Sequence, residues 1–257
     1  MTLDLGSNFL LFSLILMRMS GCFVFHPIFG RNNMPLPAKA GLILLISGLV
    51  YSVSGTPEIV TNHVIGYAAL LLKEFAVGYV LGAVFQFFIS GVLFAGTVMD
   101  NQMGLSMSTI YDPQSNSSVS LSANMLNIIF MLCFFTTDAH LALIRIFLTS
   151  ADVVPYGEIG MGTQVWTSIL ALFAEFITFG MRLAMPMLAV QFFVEIGVGI
   201  LMKTIPQINI FVINIQMKIW IGLVILLILF SPLTEYLING IDVLLEGTME
   251  ILSRMKM

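Results

Sequence analysis

The sequence predicts an all-α membrane protein of about six long apolar helices, arranged as helical hairpins. Three observations predict it. Hydrophobic residues make up 58% of the 257-residue chain and charged residues only 9%, a composition that suits neither one nor two soluble domains. Several stretches approach or exceed the roughly 20 apolar residues that cross a hydrocarbon core about 30 Å thick as a helix. Between them lie short segments rich in the Gly, Pro, Asn and Ser that open turns.

The first apolar region runs from Leu5 to Phe29. Asp4 near its start, Arg18 in its middle and the lack of an A-x-A site before a polar mature region identify a retained helix rather than a cleaved signal. The turn-rich segment Gly30 to Pro37 leads to the second region, Ala38 to Val53, and Ser54-Gly55-Thr56-Pro57 leads on to the third, Val64 to Met99. The fourth is Leu121 to Leu148. After Val153-Val154-Pro155-Tyr156-Gly157 come the fifth, Val165 to Leu201, and the sixth, Ile205 to Ile238. The third and fifth exceed one straight crossing, so each is tilted, broken in two or projecting out of the bilayer, and Pro186 predicts a kink. Six crossings place both termini on one side; the basic tail, Arg254 and Lys256, favours the cytoplasm for it. No repeat of 20 to 50 residues is apparent.

Charge and cysteine usage exclude other classes. The formal net charge of −4 is spread along the chain, with no basic run to follow a phosphate backbone, so no nucleic acid partner is expected. Cys22 and Cys133 are too few for a disulfide framework and lack zinc or redox spacing; they read as small apolar core residues. No metal or cofactor is expected.

Ionisable residues nevertheless interrupt the apolar regions, among them Arg18, Lys73, Glu74, Asp138, Arg145, Glu175, Arg182, Glu195, Lys203 and Lys218. Each would cost about 2.5 to 3.5 kcal/mol at the centre of a lipid-facing helix, so most must face protein, water or an interface. Lys73 and Glu74 point in different directions, and Glu175 and Arg182 lie about 10.5 Å apart along a helix axis. Neither pair neutralises itself, which makes Lys73, Glu74, Glu175, Arg182, Glu195 and Lys203 candidate buried charges with partners on other helices. Arg145, Lys203 and Lys218 are alternatively read as snorkelling from helix ends to the interface. Gly78, Gly82, Gln86 and Ser90 recur every four residues as a small, polar stripe that lets another backbone approach, within the chain or at a subunit interface.

Between the third and fourth regions lies a polar, almost uncharged segment, residues 102–118, with turn residues at Gly104 and Asp112-Pro113. Its backbone cannot lie exposed in hydrocarbon. Composition alone reads it as an ordinary external loop. The sharper reading is a flexible stopper in a conduit, with the unbranched thioethers of Met103 and Met107 as deformable contacts.

At this segment the sequence resembles a known family. Ala95-Gly96-Thr97, then Gln102-Met103-Gly104-Leu105-Ser106, then Asp112-Pro113-Gln114-Ser115 and an apolar helix reaching His140 are similar to the R-subunit family of the bacterial flagellar type III secretion export gate. The likeness extends to Arg18-Met19-Ser20-Gly21, Pro27-Ile28-Phe29-Gly30 and Pro35-Leu36-Pro37-Ala38-Lys39, and in the second half to Pro186 and residues 197–211, nearly the whole chain in order. Three positions depart from it. Lys203 replaces an arginine and loses its fork, Gln216 replaces a proline, and Asp138-Ala139 stands for the common Asn-Gly before His140.

The resemblance implies a single integral membrane gate subunit over residues 1–257, within a hetero-oligomeric assembly. Its expected partners are the P and Q subunits, the B subunit of the export switch, membrane lipids and unfolded exported flagellar proteins. It implies helices coiled around a pore, partly projecting above the bacterial inner membrane toward the periplasm, and a pore plug that includes Met103, Gly104, Leu105, Ser106, Met107, Asp112 and Pro113. A virulence injectisome homologue is the close alternative. A solute transporter would use Glu175, Arg182 and Glu195. An intramembrane enzyme at Asp138 and His140 is disfavoured, because residues two apart lie on different helix faces and no HExxH or GxSxG motif accompanies them. No GxxxxGK[ST] loop is present, so energy would come from elsewhere.

Overall fold

The computed structural model describes residues 7–28, 35–53, 64–105, 110–112, 117–158, 160, 162–204 and 210–256. Among these the chain is helical apart from one small hairpin. The helices are α1 (Ser7–Val24), α2 (Leu36–Val53), α3 (Val64–Met103), α4 (Leu121–Thr136), α5 (Ala139–Val153), α6 (Thr163–Thr204), α7 (Ile210–Ile228) and α8 (Phe230–Arg254). Strands β1 (Ile110–Asp112) and β2 (Ser117–Val119) pair antiparallel, with Tyr111 opposite Ser118.

The expected helical class holds, but about six apolar regions resolve into eight helices. Three are long and apolar enough to cross a membrane, rising to five if each bent pair counts as one span. The fourth region breaks between α4 and α5 with a 68° bend. Asp138 sits at that break with φ 57°, a left-handed conformation that Asn and Asp tolerate better than other side chains. The sixth region breaks at Leu229 with a 60° bend and does not end at Ile238. Its second arm, α8, continues to Arg254 as an amphipathic helix. It buries Leu233, Leu237, Ile241, Leu244 and Ile251 while exposing Glu235, Asp242, Glu246 and Glu250.

The third and fifth regions are unbroken helices of 40 and 42 residues. At 1.5 Å per residue each is about 60 Å long, twice the hydrocarbon thickness. Pro186 lies inside α6 without ending it.

The chain divides into two compact units: residues 1–88, 138–174 and 242–257 form the first, and 89–137 with 175–241 form the second. In the first, α2 packs on α1 and α5. There α1 and α3 cross so closely that a methyl on Gly78 would fall on the Arg18 carbonyl, one on Gly82 would come within 2.9 Å of the Cys22 carbonyl, and one on Gly21 would strike the Phe75 carbonyl. In the second unit α3 and α6 cross at Gly91 and Gly180, backbone against backbone. Small residues at such crossings let helices gain dispersion contact where lipid offers no hydrophobic drive.

Candidate functional site

Of the sequence-nominated charges, Glu74 lies inside the first unit, and its partner is Arg18. Arg18 Nε stands 2.6 Å from Glu74 Oε2, and both side chains are 0% exposed. Arg18 Nη1 also donates to the Val154 carbonyl at 3.0 Å and, more weakly, to Ser150 Oγ at 3.4 Å. The Gly157 amide donates to Glu74 Oε1 at 2.8 Å, and the guanidinium lies 4.3 Å over the Tyr156 ring. Arg18 Nη2 has no hydrogen-bond partner among the described residues. Two opposite charges thus neutralise each other in an apolar bundle and tie α1, α3, the end of α5 and the turn after it together.

The other nominated charges lie on the surface of the chain. Lys73, Glu175, Arg182 and Lys203 are exposed. Glu195 is exposed too, but pairs with Lys218 at 2.9 Å. It lines an open groove of about 390 Å³ in the second unit together with Gln102, Met185, Leu188, Ala189 and Phe192. Of the small-residue stripe, Gly78 and Gly82 meet α1, Ser90 is half-buried and Gln86 is exposed.

The polar segment is shorter than its composition indicates, because α3 runs on through Gln102 and Met103. Gly104 ends it at φ 76°, the left-handed position where a residue without Cβ costs least, and Leu105 behind it is half-buried. Met103 is fully buried, held where α7 has no side chain: a methyl on Gly222 would meet its Cγ and Sδ at 2.5 Å and Gln191 Nε2 at 2.8 Å. Gln191 Nε2 in turn donates to the Lys218 carbonyl at 3.0 Å. Asp112 closes β1 opposite Ser117. Ser106, Met107 and Pro113 lie outside the described residues.

The far end of the segment is pinned to the near end by a residue that sequence reasoning did not nominate. Asp100, on the last turns of α3 and 2% exposed, accepts from Ser120 Oγ at 2.5 Å and from the Ser122 amide at 3.1 and 3.2 Å. Ser120 is the N-cap of α4, and its Oγ accepts from the Ala123 amide at 3.2 Å. Two amides that the first turn of a helix leaves unbonded are therefore satisfied, one by the cap and one by an acid from another helix. Gly96, one turn before Asp100, makes room: a methyl there would strike the backbone of Ser122 and Ala123. The legible signal was an acid near the end of one apolar helix and a Ser-x-Ser-Ala start on the next.

Comparison with known proteins agrees in extent with this architecture. A family model described as bacterial export proteins, family 1, matches residues 9–243. The chain is 26% identical over 247 residues to the flagellar biosynthetic protein FliR of Bacillus subtilis, covering 94% of each chain. It is 27% identical over 222 residues to FliR of Escherichia coli, covering 84% of this chain and 83% of that one. To the Yop proteins translocation protein T of Yersinia pestis it is 23% identical over 222 residues, covering 85% of each.

Proposed function

The chain belongs to the bacterial export proteins, family 1, and from that premise we propose that it is a non-enzymatic subunit of the flagellar type III protein export gate. In this reading it helps form the inner-membrane pore through which unfolded flagellar proteins leave, alongside the P and Q subunits and in contact with the B subunit. The observation that carries the reading is the extent of the family match, which takes in six of the described helices whole, nearly all of α1, more than half of α8, and the polar segment. Surface charges on helices this apolar support it, because lipid would reject them and a neighbouring subunit or an aqueous pore would not. Helices α3 and α6, twice as long as a crossing requires, fit a complex that projects partly toward the periplasm.

Within that role the segment Met103 to Ser118 is the pore plug. Deleting Ser106 to Ser118 is expected to make the assembled gate leak ions at rest while its partners still co-purify. A membrane that stays tight after this deletion would refute the plug. The purified chain alone, reconstituted in vesicles, is expected to move no solute; autonomous transport would favour a free-standing carrier built on Glu175, Arg182 and Glu195 instead.

The Yersinia relative, named for Yop translocation, supports a second reading as an injectisome component. Both flagellar relatives share more identity with this chain. Expression in a motility-null strain lacking its own R subunit separates the two: flagellar export is expected to return.

A further inference from the structure

The two ends of the polar segment are joined at Asp100. Asp100 is buried, its carboxyl oxygens take one hydroxyl and one amide, and both donors belong to the first residues of α4. Ser120 relays between the helices, donating to Asp100 and accepting from Ala123. Gly96 clears the space that this approach needs.

An ordinary N-cap needs none of the long-range part. Ser120 alone would satisfy Ala123, and a solvent-exposed helix start would leave the Ser122 amide to water. Residues 101–119, which bear the hairpin β1–β2, would reach about 60 Å if fully extended; here their ends stay within a few hydrogen bonds of each other. On the α3 side Met103 is held as well, by Gly222 and Gln191.

We propose that Asp100 is the positioning residue of the polar segment. It clamps the end of α3 to the start of α4 and so holds the two ends of the segment together at its base. The consequence for leakage rests on the plug reading; the clamp itself does not.

The test uses the gate purified from membranes with its co-purifying partners. Asp100→Asn, which keeps the shape but turns an amide group toward a donor, and Ser120→Ala, which removes the relay, are expected to speed hydrogen exchange at the Ser122 and Ala123 amides by roughly tenfold or more. Ser120→Thr keeps the hydroxyl and is expected to exchange like the parent protein. In vesicles, potassium efflux through the Asp100→Asn gate should fall between that of the parent and that of the Ser106 to Ser118 deletion. Unchanged exchange in both Asp100→Asn and Ser120→Ala, or Ser120→Thr exchanging as fast as Ser120→Ala, overturns the clamp. Faster exchange with no efflux even from the deletion leaves the clamp standing and removes the plug. Efflux from the deletion with unchanged exchange in both Asp100→Asn and Ser120→Ala does the reverse.

Discussion

Two ion pairs of similar length lie in the two halves of this molecule, and they have opposite surroundings. Arg18 and Glu74 meet at 2.6 Å with both side chains wholly buried; Lys218 and Glu195 meet at 2.9 Å with 15% and 57% exposed. All four helices that carry them are apolar, and α7 of the exposed pair is the most apolar of the four, so local composition does not explain the difference. What differs is how many elements converge. Around Arg18 the chain supplies a carboxylate, a backbone carbonyl, a hydroxyl and an aromatic face, whereas Glu195 lines an open groove. A charge in an apolar helix is thus either enclosed by its own chain, where it holds the fold together, or paired at the chain's surface, where its partner leaves it partly uncovered.

Breaking the buried pair should have the largest effect. Glu74→Leu strands the Arg18 charge in the core and is expected to cost about 3–5 kcal/mol, seen as a lowered thermal midpoint and loss of the chain from membranes. Arg18→Met combined with Glu74→Leu is expected to recover most of that. If the double variant is as unstable as the single, the pair is not the source of the loss.

Next comes the crossing beneath that pair. Gly78→Val drives a side chain into the backbone of α1 and is expected to cost about 1–3 kcal/mol or more. Gly48→Val on α2, where a Cβ meets nothing within 4 Å, should change stability by no more than about 0.5 kcal/mol. Equal thermal midpoints for the two would remove the close approach from the account.

The smallest effect on stability belongs to the exposed pair. Glu195→Gln is expected to shift folding by about 0.2–1 kcal/mol, while recovery of any proteins that co-purify with the chain from membranes falls further than the chain's own level. A large stability loss with partner recovery unchanged would make Glu195 a structural residue like Glu74 and erase the contrast.

Reading along the chain located most of the apolar helices within a few residues, yet it missed both bends and the length of α8. The break at Asp138 depends on one backbone angle, to which hydropathy is blind. Helix α8 alternates buried Leu and Ile with exposed Glu and Asp, so its average polarity hides a helix with one buried, apolar face. In the polar segment, Gly104 was legible as a turn residue and Met103 as a soft contact. That Met103 rests on Gly222, more than a hundred residues away, was not. Asp100 drew no notice because an acid at the end of an apolar stretch is unremarkable until its partners, Ser120 and Ser122, are placed beside it.

By itself the sequence determined the solvent, the helical class and the family likeness, since each is a sum or an order of residues along the chain. Only the tertiary structure decided which charge is neutralised and by what. Arg18 and Glu74 lie 56 positions apart, and Asp100 and Ser122 lie 22. Burial of a polar group depends on which distant atoms reach it within about 3 Å, a property of packing that no local window of sequence carries.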